Sequence, residues 1–473
     1  VFVFVEKRRC IIDFIFFKRQ KRIKFVEIFG RTMSKRSVLY QIFCSWVKAV
    51  NLFYYPKRYY LNRENIPSDG NPIIMVGNHQ NCMMDPVNVE LALSDRKAYS
   101  LTRGDVFRKN NVLSNFMFWI GLLPVNRLST EGLNGKTNAK DANRAAFTVA
   151  TKRVAQGNTL IVFPESRHQN KRWLGYFSLG YLHIAFQTAE HLNFEKEVYI
   201  QPFAHHYEDY FHARHDFMLT FGTPIALSDF YEKYQQKPRT TMREVNELVE
   251  KQIHSLMLNI TDLEHYTAID ALREGPFGYE FAKKHGYNPY KLPEKLLADK
   301  LLVNILGDES KQQQLDKLQS VETEIQSLGM DDCTVAQAPN IGNLLLHYLI
   351  LIIAAPFAAV AFTITFPVIL APRIMDHTQI NGEGDEMFRS TWNVGISTLI
   401  TLPVFWILAS GLLAIACWKS AIAYFALYPI LILIVIAYCT QIRKTKKIRK
   451  YVFYKDAIDL HNRRKEIIKE LNI

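Results

Sequence analysis

The run Gly77-Asn78-His79-Gln80-Asn81-Cys82-Met83-Met84-Asp85-Pro86 places an imidazole and a carboxylate with five residues between them. Imidazole titrates near neutrality, so His79 can take a proton from a hydroxyl group. Asp85 can hold the other ring nitrogen, fix the tautomer and stabilise the imidazolium that forms. No serine or cysteine nucleophile is required if the attacking hydroxyl belongs to a substrate. Asp85 before Pro86 also reads as an N-cap followed by proline at the first helical position, a common start to a helix. One carboxylate can serve in both ways.

Three further blocks carry polar groups at the ends of apolar runs. Gly121-Leu-Leu-Pro-Val-Asn-Arg127 ends in an arginine that can grip a phosphate through two parallel hydrogen bonds, or pair with a neighbouring carboxylate. Thr159-Leu-Ile-Val-Phe-Pro-Glu165-Ser166-Arg167-His168 is followed by Lys171 and Arg172. Glu165 can bind a ligand hydroxyl or hold a basic residue in place, and the basic residues after it can bind phosphate. The last block, Val198–Phe203 and then Phe217–Ile225 with its Gly222-Thr-Pro224 turn, reads as two strands that wall a pocket. His205, His206, His212 and His215 lie near Asp209 and Asp216, but as a loop without a visible second shell they make a poor metal site, and none is assigned.

Residues 72–225 must position these groups. They alternate short apolar runs (72–77, 122–125, 159–163, 198–202, 217–221) with helical patterns (86–94, 141–155, 178–190). Each apolar run meets a turn or a helix start, which predicts an α/β domain with a largely buried sheet. Polar groups gathered where such strands end are well placed for a site.

The order of these blocks across about 150 residues resembles the glycerolipid acyltransferase family, whose members acylate glycerol-3-phosphate or lysophosphatidic acid. The resemblance covers roughly residues 70–225, about a third of the chain. It implies a glycerolipid acyltransferase-type αβ domain, an acyl-CoA or acyl-carrier-protein thioester as co-substrate, and no metal or other cofactor. It makes His79 the catalytic base and Asp85 its orienting partner. It matches Arg127 to a phosphate-binding arginine, Glu165 to the glutamate of the third block and Pro202 to the proline of the fourth. Three departures stand out. The common spacing has four residues between His and Asp, and the longer one here resembles the fungal-type glycerol-3-phosphate and dihydroxyacetone-phosphate branch. Ser166 replaces the usual glycine. The usual arginine position falls on His168, which spreads the phosphate clamp over Arg167, His168, Lys171 and Arg172. The activity implied is acylation of 1-acylglycerol-3-phosphate in phospholipid biosynthesis, with glycerol-3-phosphate or dihydroxyacetone phosphate as the alternative acceptor.

The chain has 473 residues, 48% of them hydrophobic and 22% charged, a globular composition. Its charge of +13 is segregated: residues 1–48 carry +9 and residues 443–473 carry +7, which leaves the middle at −3. Basic ends beside apolar segments suit anionic lipid head groups and give no surface for nucleic acid along the main domain. Six cysteines at 10, 44, 82, 333, 417 and 439 lack metal or redox spacing and read as free thiols in a reducing compartment.

The organisation expected is a gene-model extension or basic arm at 1–32 upstream of a start at Met33, a membrane-surface amphipathic segment at 33–65, the acyltransferase domain at 66–227, a helical region at 228–340, transmembrane helices at 341–442 and a basic tail at 443–473. Leu344–Pro372, Val394–Cys417 and Ala421–Thr440 each exceed or reach the roughly 20 residues that cross a bilayer core. They contain only His347 as an ionisable residue, with Lys419 in the joint between the last two, which weighs against a transport protein. An integral membrane protein with its catalytic domain in the cytoplasm follows, at the plasma membrane in a bacterium. The acidic stretch 373–393 and the basic tail conflict with this for three full spans, because the positive-inside rule then puts domain and tail on opposite sides. Either the first segment, broken at Pro356, is re-entrant, or the last two form a shallow hairpin.

Overall fold

The computed structural model describes residues 37–93, 96–103, 111–125, 136–165, 171–379 and 388–473. Residues 1–36, which include the segment ahead of Met33, lie outside that set, as do Arg127, Arg167 and His168.

An eight-stranded sheet is built from β1 (Arg58–Leu61), β2 (Ile73–Gly77), β3 (Ala98–Arg103), β4 (Leu122–Val125), β5 (Thr159–Val162), β6 (Tyr199–Tyr207), β7 (Phe217–Phe221) and β8 (Ile225–Ala226). The strand order is β1-β7-β6-β2-β5-β3-β4, with β8 also on β6. Pairings are parallel except those of β7 and β8 with β6. β2 lies between β5 and β6 and every residue of its Ile-Ile-Met-Val-Gly run is buried, as a central parallel strand covered on both faces requires. Gly77 ends it because a Cβ there would stand 2.2 Å from the Phe203 ring on β6. Gly157, at φ +83°, turns the chain into β5 where a Cβ would meet the Gly70 carbonyl at 2.3 Å.

Helices α1 (Val38–Tyr54), α2 (Met84–Ala92), α3 (Asn111–Trp119), α4 (Lys136–Ala155) and α5 (Gly180–His191) flank the sheet, followed by α6 (Tyr231–Gln236) and α7 (Pro238–Leu256). The apolar stripe of α7 (Met242, Val245, Val249, Ile253) joins the core formed by α4, α5 and one sheet face. α1 buries one face and leaves apolar residues exposed on another. Its Tyr40, Cys44 and Val47 pack on Leu91 of α2, while Val38, Leu39 and Ile42 remain exposed.

α8 (Tyr266–Glu274), α9 (Pro276–Lys284), α10 (Leu292–Leu306), α11 (Gln312–Ser327) and α12 (Asp332–Val335) form a second core. Three long apolar helices follow: α13 (Ile341–Gln379), α14 (Phe388–Ala416, wound as π-helix over Ser397–Thr401 and Pro403–Leu408) and α15 (Trp418–Val452). The chain closes with α16 (Ala457–Glu470), whose Leu460 and Ile467 pack into the same core as Leu315 and Leu318 of α11. Part of the tail's positive charge is met there, since Arg464 pairs with Glu322 and Asp332 and Arg463 with Glu324.

α13 is not a straight rod. Near its start His347 Nδ1 is 2.6 Å from Gln441 Nε2, and near its end the Arg373 guanidinium donates to Cys439 Sγ at 3.2 Å. A straight helix would hold those two positions about 39 Å apart. Neighbouring residues of α15 reached by ordinary side chains cannot bridge that length, so α13 bends back on itself. Its internal prolines 356, 367 and 372 remove hydrogen bonds and supply the cause.

Candidate active site

The loops that leave the C-terminal ends of the adjacent parallel strands β2 and β5 meet, and their meeting point holds His79. His79 Nδ1 is 2.8 Å from Asp85 Oδ2. The same oxygen accepts the backbone N–H groups of Gln80 and Asn81, each at 2.8 Å. Asp85 is therefore not the helix N-cap. It is the second residue of α2, whose N-cap position is Met83, and its carboxylate ties down the preceding loop instead of the helix's own amides. The cap alternative fails because three donors from residues 79–81 already converge on it.

The His79 ring is 20% exposed and stacks on Phe163, with ring centroids 4.4 Å apart and planes inclined by 17°. Its backbone N–H donates to Glu165 Oε1 at 2.8 Å, while Glu165 Oε2 accepts from the Gly175 N–H at 2.9 Å. The Phe-Pro-Glu block thus sets His79 twice, by ring stacking and by a backbone clamp. Burial pushes the Glu165 carboxyl up to about 7, although both amide donors and His79 pull it down.

The far side of Asp85 is held by groups that motif spacing did not single out. Tyr207 donates its hydroxyl to Asp85 Oδ1 at 2.6 Å and accepts from Asn88 Nδ2 at 3.2 Å. His205 is fully buried and meets the Asp85 backbone carbonyl through Nε2 at 3.1 Å. The Asn78 side chain bonds both the N–H and the C=O of His205, pinning the loop to β6. Burial raises the Asp85 carboxyl, but His205, His79 and the loop amide of Asn81 outweigh it and hold the group below the ordinary range. Burial lowers His205 and His206, so both favour the neutral form.

His205 and His206 lie inside β6, not in a loop, because the antiparallel pairing with β7 extends that strand to Tyr207. His212 and His215 sit beyond it, paired with Asp209 and Glu208. Among the described residues no group of three His, Cys, Asp or Glu is arranged to hold a metal.

Of the basic candidates, Lys171 lies at the rim, its carbonyl accepting from Gln80 Nε2 and its ammonium over the Trp173 and Tyr266 rings. Arg172 is 2% exposed and occupied otherwise. Its guanidinium donates to the Tyr207 and Glu208 carbonyls and meets Asp270 and Glu274 of α8, which ties the site to the helical region.

A buried mixed sheet with a His–carboxylate pair at its strand ends makes an α/β domain whose geometry suits general-base chemistry. Residues 57–206 match the family model described as acyltransferase, and the chain carries an acyltransferase domain of that family. One solved structure that resembles it is the 1-acyl-sn-glycerophosphate (LPA) acyltransferase PlsC from Thermotoga maritima. The two are 19% identical over 48% of this chain and 87% of that one, with a TM-score of 0.32. No curated protein matches the chain.

Proposed function

We propose that this acyltransferase is membrane-bound and moves a fatty acyl group from an acyl thioester to the free hydroxyl of 1-acylglycerol-3-phosphate. The observation that carries the reading is the His79–Asp85 contact at 2.8 Å, which commits Nδ1 to the carboxylate and makes Nε2 the proton-accepting atom. The substrate hydroxyl oxygen attacks the thioester carbonyl carbon as His79 takes its proton. The tetrahedral intermediate collapses with loss of the thiolate, and the imidazolium returns the proton to sulfur. The products are a new ester and a free thiol. The amides of His79, Gln80 and Asn81 are bound to Glu165 and Asp85, so oxyanion stabilisation falls to other donors. Lys171 at the rim, together with Arg127, Arg167 and His168, would meet the phosphate.

A lipid acceptor accords with three apolar helices, each of which lines one cavity together with α1 and residues 211–213. The bend of α13 and the docking of α16 against α11 support an even number of crossings, with domain and basic tail together in the cytoplasm where thioester donors are made. In a bacterium the membrane would be the plasma membrane. The five-residue His–Asp spacing favours glycerol-3-phosphate or dihydroxyacetone phosphate as a second reading.

The test supplies purified full chain with labelled acyl-CoA and, in parallel, lysophosphatidic acid and glycerol-3-phosphate. Product from lysophosphatidic acid, falling by about 10²–10⁴-fold in His79→Ala, is expected. Product from glycerol-3-phosphate alone would replace the acceptor.

A further inference from the structure

A cavity of about 340 Å³ opens where α1, residues 211–213, the end of α13, the start of α14 and α15 meet. All but α1 and the 211–213 loop belong to the apolar C-terminal helices, beyond residues 57–206 of the family match. Its depth is apolar: Val50, Val368, Leu402 and Ile432 line it and are each at most 5% exposed. Its mouth carries Arg373, Arg389 and Arg443. Asp376 pairs with Arg389 at 3.0 Å. Asp209, which also acts on Arg443, is held by His212 Nδ1 at 2.8 Å and by the Phe211 and His212 amides. The described hydrogen bonds of Arg373 and Arg443 go to neutral groups, Cys439 Sγ and Thr440 Oγ1. Among the described residues the mouth therefore holds an excess of positive charge over an apolar slot.

The cavity is joined to the catalytic loop. Ser390, one residue along α14 from Arg389, hydrogen-bonds Asn81, whose N–H holds Asp85. Val394, in the cavity wall, packs in the same core as Met84 and Val89 of α2.

We propose that this cavity binds an acylated phosphomonoester, the acyl chain in the slot between α13, α14 and α15 and the phosphate at Arg373 and Arg443. Guanidinium forks suit the phosphate and the apolar wall suits the chain. A water-soluble phosphate would leave the slot unfilled. This assignment rests on the lipid-acceptor reading above and deepens it, because the cavity then holds and selects the acceptor before its phosphate passes to Lys171, Arg127, Arg167 and His168 at the catalytic rim.

The experiment measures binding of labelled 1-oleoyl-lysophosphatidic acid to the detergent-purified full chain by equilibrium dialysis, alongside turnover. His79→Ala should bind as wild type and turn over about 10²–10⁴-fold more slowly. Arg373→Gln and Arg443→Gln should weaken binding at least tenfold, and Arg443→Lys should restore part of it. Leu402→Trp, which fills the slot, should weaken lysophosphatidic acid binding and leave the KM for acyl-CoA unchanged. Excess glycerol-3-phosphate, inorganic phosphate or phosphatidylglycerol in mixed micelles should not displace the ligand. Wild-type binding by both arginine variants and Leu402→Trp overturns the site, even if lysophosphatidic acid is the acceptor. Equal displacement by phosphatidylglycerol makes the cavity a bilayer-lipid site and overturns the assignment. Turnover of glycerol-3-phosphate alone sinks the acceptor reading separately, through activity and not through these variants.

Discussion

The Tyr207 hydroxyl stands 2.6 Å from Asp85 Oδ1, on the carboxylate oxygen opposite the one that holds His79. Asp85 is therefore gripped from both sides, by the loop that follows β2 and by a residue of β6. Tyr207→Phe removes a donor from a buried carboxylate and orphans Asn88 Nδ2, at a cost of about 1–3 kcal/mol. As Tyr207 acts through Asp85, kcat should fall about tenfold with KM little changed. Asp85 is depressed in the folded state, so it adds stability above its unfolded value and loses it as pH falls through its folded value. Losing the tyrosine donor raises that folded value. Acid inactivation and unfolding should both begin at a higher pH than in wild type, which a pH series followed by activity and circular dichroism would reveal.

Glu165 has the opposite sign. Its folded carboxyl is raised to about 7 from an ordinary 4.5, so its ionisation disfavours the folded state. Its stability contribution is fully present below about 4.5 and declines as pH rises to about 7. Glu165→Gln cannot titrate, and its amide NH2 faces one of two backbone N–H donors. The variant should turn over more slowly, since the His79 clamp is half lost. The Tm of wild type minus that of the variant should shrink between pH 4.5 and pH 8. A constant difference would show that the carboxyl does not titrate in that range.

Arg172 should behave as a tie and not as a substrate ligand. Arg172→Met leaves Asp270, Glu274 and two carbonyls short of a buried partner, at about 3–5 kcal/mol. Thermal unfolding should move down by several degrees, while KM for the phosphate acceptor in the folded protein stays within about twofold of wild type. A large rise in KM at unchanged Tm would return Arg172 to the phosphate site.

Cys333 and Cys417 report sidedness. Both are exposed, Cys333 on α12 beside the catalytic side and Cys417 at the turn between α14 and α15. Those helices pair as a hairpin, with Trp406 Nε1 donating to the Phe425 carbonyl at 2.9 Å. In variants that keep one cysteine each, a membrane-impermeant maleimide should reach Cys333 only from the face bearing the catalytic domain and Cys417 only from the other. Labelling of both from one face would make the hairpin shallow.

Continuous apolar runs made β2, β4, β5 and β7 legible; in β2 and β5 the run is unbroken because a parallel strand buried on both faces needs no alternation. β3 was hidden by its Ser, Thr and Arg, and β1 by its half-exposed Arg-Tyr-Tyr-Leu. β6 outran its predicted end because antiparallel pairing with β7, not local propensity, decides where it stops. The alternation of Phe203, His205 and Tyr207 on one face of β6 is the signal that could have exposed its share of the site.

By itself the sequence determined the pairing of His79 with Asp85 and the apolar segments. A helix start holds residues six apart within reach, and a run of about 20 apolar residues needs no partner to declare its solvent. The tertiary structure alone decided what surrounds them. Tyr207 and His205 lie more than 100 residues from Asp85 and reach it because β2 and β6 pair with Gly77 opposite Phe203. Arg373 and Arg443 share one cavity only because α13 bends back along α15. Such contacts are set by sheet register and helix packing, which depend on the whole chain at once and leave no mark in local spacing.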